Sequence, residues 1–195
     1  MGQVMNEITP ELREMIAAAP LFFVATAPLS AEGHVNVSPK GHDTLRVLDS
    51  RRIAYLDLTG SGNETAAHVA ENTRMTVMIC AFSGKPRIVR LYCKGRVIHR
   101  TSAEWRELAP LFPVLAGARQ ILVGDIEFVQ TSCGFAVPEM AVVKEREALI
   151  RWAEGKGEDG LVDYRRARNR TSIDGIPAPP TDSGETPYLD GLETR

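Results

Sequence analysis

The sequence predicts a mainly β domain with helices on its outside, folded as a small, closed or partly closed antiparallel barrel of six strands. Three observations predict it. Six segments are apolar or alternate in polarity; short turn signals punctuate them; and few helices lie between them. That order argues against a doubly wound parallel sheet and for an antiparallel barrel. At 195 residues, 44% of them hydrophobic, the chain can bury one core of moderate size and carry tails.

The elements follow in order. Thr9-Pro10-Glu11 reads as a helix start, with a capping hydroxyl, a proline in the first turn and then an acid. That helix runs to about Ala18 and stops before Pro20. "LFFVATA" (21–27) is β-branched and aromatic, as a buried strand is. "AEGHVNVSP" (31–39) carries a turn at Glu32-Gly33 and alternates at Val35 and Val37, so the two segments pair as a hairpin. "RRIAYLDL" (51–58) is the next strand, and "GNETAAHVAEN" (62–72) is a helix with Ala66, Val69 and Ala70 on one face. "RMTVMICAF" (74–82) is an apolar strand, and Gly84-Lys85-Pro86 turns the chain into the long strand "RIVRLYCKGRVIHR" (87–100). Thr101-Ser102-Ala103-Glu104 is a capping box for a short helix. "QILVGDIEFVQTS" (120–132) is the last strand.

These elements place one domain over residues 1–141, N-terminal helix included. From Val142 the texture is charged and helical, with Leu149, Ile150, Trp152, Leu161 and Tyr164 as an apolar stripe and a break at Gly155-Lys156-Gly157. This extension covers 142–175. Residues 176–195 are rich in proline and polar side chains, and alone they bury too little to offset their ordering entropy. They are expected to be flexible, or laid along a partner.

Composition excludes several roles. With 23 basic and 25 acidic residues the net charge is −2, so the chain lacks the positive surface a nucleic-acid binder needs. No apolar run approaches the roughly 18–20 residues of a membrane span, and the first fifteen residues carry no signal-peptide pattern. Cys80, Cys93 and Cys133 make an odd number without metal-ligand spacing, and His34, His42, His68 and His99 are scattered. Neither a disulfide framework nor a metal site is expected, and a reducing cytoplasm is the expected location. No Ser/His/Asp or Cys/His arrangement has local support, so no catalytic residue is named.

The stretch "LTGSGNETAAH" (58–68) stands out. It lacks the P-loop lysine and the third glycine of a dinucleotide fingerprint. Gly60 and Gly62 nevertheless let successive main-chain amides turn outward, and the helix that follows offers its own amides. Ser61, Asn63 and Thr65 add polar side chains, whereas Glu64 would repel a phosphate. The alternative is a capping box in which Glu64 turns back to the Ser61 amide. Nearby, Ser38 and Lys40 close the "VNVSPK" strand, and Arg74, Arg87 and Arg90 add charge near strand ends. Asp57 and Asp43 read first as turn or strand-end residues facing solvent, the alternative being to orient Lys40 or a ligand amide. Cys133 is either a thiol near a ligand or a packed side chain.

The order "VNVSPKG", "AYLDLTGSGNET", "ENTRMTVMICAF", "PRIVRLYCKGRV" resembles the pyridoxamine 5′-phosphate oxidase-like, FMN-binding split-barrel proteins, over roughly residues 20–130. "SPKG", "TGSGNET" and "TSCGF" (131–135) look like a bacterial subgroup whose substrates are mostly unassigned. The resemblance implies a six-stranded split barrel, a homodimer with FMN at the subunit interface, and oxidoreductase chemistry on a small molecule. It implies that Ser38, Lys40, Gly60, Ser61, Gly62, Asn63 and Thr65 hold the cofactor, with Arg90 beside the flavin ring. The pattern departs at three places. Val35 and Pro39 replace residues of the oxidases' basic strand motif; Glu64 and Thr65 stand where those enzymes carry an Arg-Lys phosphate pair; and no histidine follows Cys133. Pyridoxamine phosphate is therefore not the expected substrate. The alternatives are a non-catalytic module that binds or senses flavin or haem, an F420-dependent reductase, or a dimer whose pocket has decayed.

Overall fold

A computed structural model describes residues 2–182. Eight strands and four helices follow one another as β1 (Val4–Met5), α1 (Pro10–Ala17), β2 (Phe22–Thr26), β3 (Asn36–Lys40), β4 (Leu45–Asp49), β5 (Arg52–Leu58), α2 (Glu64–Asn72), β6 (Arg74–Cys80), β7 (Ile88–His99), α3 (Ala103–Leu108), β8 (Ala118–Ser132) and α4 (Ala148–Arg168). The predicted helix start is present: Thr9 Oγ1 accepts from the Leu12 amide at 3.3 Å, with Pro10 in the first turn. Leu12 and Ile16, four residues apart, turn one face of α1 into the core.

All pairings are antiparallel, in the order β3-β2-β6-β7-β8-β5-β4, with β1 on the remaining part of β8. This corrects the expected six-stranded barrel. The sheet has eight strands, and β3 and β4 are the two ends of the order. The two strands beyond the expected six are β4, only half-buried and joined to β5 by a two-residue turn, and β1, two residues long. The β2–β3 hairpin forms in the register Phe22↔Lys40 to Thr26↔Asn36. β8 is the spine: β7 pairs along one edge from Gln120 to Ser132, while β5 and then β1 occupy the other.

Side chains alternate across a strand, so register assigns the faces. Phe22, Val24, Val77, Ile79, Leu91, Tyr55 and Leu122 fill the inner face, closed by Leu12 and Ile16 of α1 and Val69 of α2. A second cluster, built on Leu56, Ile121 and Val123, packs beneath α3. Phe23, Met78 and Arg90 form one cross-strand row on the outer face, Met78 between the other two. Tyr92 and Phe128 stack beside them with ring centroids 4.5 Å apart.

α4 starts six residues later than expected and breaks where the glycines predicted, Gly157 standing at φ 65°. Leu161 is buried, and Trp152 meets Tyr164 edge to face at 4.9 Å. Residues 176–182 fold back onto the chain: the Ala178 amide donates to the Arg170 carbonyl, and Ala178, Thr181 and Asp182 are buried. Residues 183–195, the remainder of the predicted tail, lie outside the described residues. Among those described, no helix is long and apolar enough to cross a membrane, and no cluster of His, Cys, Asp or Glu is built to hold a metal ion.

Candidate functional site

Three strands converge on Asp57. Asp57 faces Gln120 across the β5–β8 ladder, and a register shift then pairs Leu58 with Ala118, making Arg119 the extra residue. Such a bulge re-aims the residue it adds. Here Arg119 Nε donates to Asp57 Oδ2 at 2.7 Å and Gln120 Nε2 donates to the same oxygen at 2.8 Å. From the end of β3, Lys40 Nζ donates to Asp57 Oδ1 at 2.8 Å. Burial pushes the Asp57 carboxyl pKa up, but Arg119 and Lys40 outweigh it and hold the group far below the ordinary carboxylate range. Two cations on one anion leave one positive charge in excess. Lys40, its side chain 22% exposed, carries that charge toward open space.

The glycine turn joins the end of β5 to the start of α2. Thr59 is anchored to Gly117, whose carbonyl accepts from the Thr59 amide at 2.7 Å and hydroxyl at 2.9 Å. Asn63 is buried, and its Oδ1 accepts from Gln120 Nε2 at 2.8 Å, which ties the turn to the Asp57 cluster. The capping box does not form: Asn63, not Ser61, precedes the first helical residue, and the Glu64 carboxylate accepts from the Ile173 amide instead. Asn63 Nδ2 and His68 Nε2 are buried without a partner among the described residues. Unsatisfied buried polar groups are costly, so Asn63 Nδ2, a donor, and His68 Nε2, a donor or acceptor according to its tautomer, mark places where a polar ligand or water fits.

Lys40 and Gly60 share the wall of a cavity of about 1140 Å³. Its lining is largely apolar, with residues such as Met15, Leu21 and Leu58, and the segment around Met140, Val142 and Arg146 contributes to it as well. Pro39 belongs both to this wall and to the outer side of β3, so the cavity borders the outer sheet face there.

The sequence-predicted residues are only partly brought together. Ser38 lies on the Lys40 face of β3 and donates to Asn36 Oδ1; Asn36 Nδ2 in turn donates to Thr65 Oγ1 at 3.1 Å. Ser61 is exposed beside Gly62. Arg90 is on the opposite face: Phe22 pairs with Lys40, whereas Phe23, its neighbour, pairs with Met78, which pairs with Arg90. There Arg90 donates to Ser132 Oγ at 3.0 Å. Asp57, expected at a solvent-facing strand end, is instead 2% exposed and takes the alternative role of orienting Lys40, while Asp43 pairs with Arg46. Cys133 is exposed and lines a separate, smaller cavity with Arg87, while Cys80 lines the large one. Burial raises the Cys93 thiol pKa to about 12.

Arg119 and Gln120 escape the sequence reading because they look like the polar start of an apolar strand. The signal was present: two consecutive polar residues cannot both face water on a strand buried on both sides. Asn169 and Arg165 escape it because their partners in the glycine turn, Gly60 and Thr59, lie more than a hundred residues away.

Residues 8–133 match the sequence profile described as pyridoxamine 5′-phosphate oxidase. A pyridoxamine 5′-phosphate oxidase family protein of Aspergillus flavus, ustO, is 39% identical over 191 residues, which cover 88% of this chain and 76% of that relative. Among solved structures, HupZ of Group A Streptococcus is similar at a TM-score of 0.51 and 17% identity, over 64% of this chain and 99% of that one. A candidate pyridoxamine 5′-phosphate oxidase of Lactobacillus delbrueckii is similar at a TM-score of 0.51 and 18% identity, over 64% and 93% of the two chains. At such identities the two structures speak for the fold alone.

Proposed function

Because the chain belongs to the pyridoxamine 5′-phosphate oxidase family, we propose that it is a flavoprotein that holds FMN and serves as an oxidoreductase of a small molecule. The observation that carries this reading is the placement of Lys40 and Gly60 in the wall of one large, mostly apolar cavity, with an excess positive charge fixed behind them. Bound FMN supplies hydride and single-electron transfer. The chain supplies the rest. Lys40, held by Asp57, is the cation for a phosphate; the main-chain amides around Gly60, Ser61 and Gly62 and the side chains of Asn63 and Thr65 are its hydrogen-bonding groups, with Ser38 behind Lys40. The unpartnered Asn63 Nδ2 fits this assignment, since it is a donor buried at the base of the turn. The apolar lining excludes water from the flavin ring.

We further propose a homodimer. The outer face carries Phe23, Met78 and the Tyr92–Phe128 stack, and Val35 and Val37 are 70% and 60% exposed on the adjoining edge. Contiguous apolar surface of this kind marks a protein contact. It adjoins the cavity at Pro39, so Arg90 would meet a flavin where the two copies join.

Purified protein is expected to be yellow, or to quench FMN fluorescence with a dissociation constant of about 1 μM or tighter, near −8 kcal/mol, and to bleach on adding NADH, NADPH or another reductant. Colourless protein that ignores added FMN overturns the reading. A Soret band in place of flavin absorption, or preference for F420, replaces the cofactor.

A further inference from the structure

The segment Arg165–Asp182 lies beyond the residues that match the family profile, yet its polar side chains are buried against the glycine turn. Asn169 is 3% exposed and makes two bonds at once: its Oδ1 accepts from Arg119 Nη1 at 2.7 Å, and its Nδ2 donates to the Gly60 carbonyl at 3.0 Å. Arg165, 1% exposed, donates through Nη1 to Thr59 Oγ1 at 3.2 Å while its other nitrogens engage both carboxylate oxygens of Asp182. The Ile173 amide donates to Glu64. Three successive points of the turn, Thr59, Gly60 and Glu64, are therefore fixed from the C-terminal segment.

We propose that this segment is a clamp that shapes the phosphate turn, and that Asn169 is its positioning residue, linking the Gly60 carbonyl to the Arg119–Asp57–Lys40 charge cluster. The inference rests on the flavin reading above and extends it to residues beyond the family profile. Its physical logic has two parts. A glycine turn is soft, and amides hold an anion well only when their orientation is set beforehand. Pinning the Gly60 carbonyl on the Asn169 side fixes the peptide plane that joins Gly60 to Ser61. The Glu64 carboxylate, which would otherwise repel a dianion at the start of α2, is occupied by the Ile173 amide.

The test compares FMN with riboflavin, which lacks the phosphate, on the full-length apoprotein. Asn169→Ala is expected to weaken FMN binding about tenfold, the scale of one lost polar contact, and to leave riboflavin binding unchanged. Asn169→Asp keeps an oxygen for Arg119 but cannot donate to Gly60, and it is expected to lose the same FMN preference; it serves if the alanine variant folds poorly. Equal losses for both ligands, or no loss for either, overturn the clamp. Wild-type protein that binds neither flavin overturns the cofactor reading instead. In that case amide exchange still decides the clamp: Asn169→Ala must speed exchange across residues 60–64, and unchanged protection there refutes it.

Discussion

Lys40 and Asp57 lie 2.8 Å apart, the lysine in a cavity wall and the aspartate almost wholly buried behind it. The pair joins the last residue of β3 to the inner face of β5, strands that are not neighbours in the sheet. Arg119 completes it at 2.7 Å.

Asp57→Asn is expected to cost about 3–5 kcal/mol, because it leaves two cations facing each other without their counter-ion. Urea denaturation reads the loss, and a midpoint equal to wild type would refute the account. In the unaltered protein the sign follows from a depressed carboxylate. Its contribution is complete above the unfolded pKa of about 3.9 and is lost as pH falls further.

A second titration holds the C-terminal segment at its other end. His34 Nδ1 lies 2.6 Å from Asp174 Oδ1, and the His34 amide donates to Asp174 Oδ2. The hydrogen bond with Asp174 and then its charge raise the His34 pKa; the His34 amide and side chain lower that of Asp174. A raised histidine pKa stabilises below the unfolded value of about 6.5 and its effect fades as pH rises through the folded one. Exchange protection at the Ile176 and Ala178 amides is therefore expected to decline as pH rises past the ordinary histidine range, and His34→Gln should abolish the decline.

Gly117 holds Thr59 from a left-handed conformation, φ 82°, in which a β-carbon would stand 3.0 Å from that of Ala153. Gly117→Ala is expected to lose about 1–2 kcal/mol in backbone strain alone, and to weaken FMN binding by loosening the turn. Thermal unfolding and flavin titration on one sample check both.

The proposed dimer predicts that Val37→Glu yields monomers in sedimentation velocity while the fold is kept, since Val37 is 60% exposed on a single chain. A dimer that persists would move the contact elsewhere.

Much of the fold is legible in the residues. Alternation at Val35 and Val37, the apolar run from Arg74 and the cap at Thr9 each specify their element locally, and each element is present. β4 escapes because neither of its faces is fully buried, so "LRVLD" has no strong period. Of the residues proposed to hold a cofactor, Gly60, Asn63 and Thr65 stand out because they fall in one motif-like stretch, and Lys40 because it is a cation at a strand end; of these four, Lys40 and Gly60 line the large cavity. Charge and chain order group Arg90 with them, whereas strand parity places it on the opposite face. The clamp residues follow no local rule: Asn169 in isolation is the polar end of a helix, and its partners exist only once β5, β8 and α4 have come together.

The pairing of Val4 with Gln130 has a consequence for how the chain assembles. The spine strand takes partners from near residue 4, from the fifties and from the nineties, so the pairing cannot be complete until residue 132 has left the ribosome. Contacts so distant along the chain make for slow folding, and until β8 arrives β5 and β7 each wait with an open, sticky edge. The vulnerable species in this protein's life is the nascent chain awaiting its fifteen-residue last strand, and that is the form a chaperone would be needed to shield.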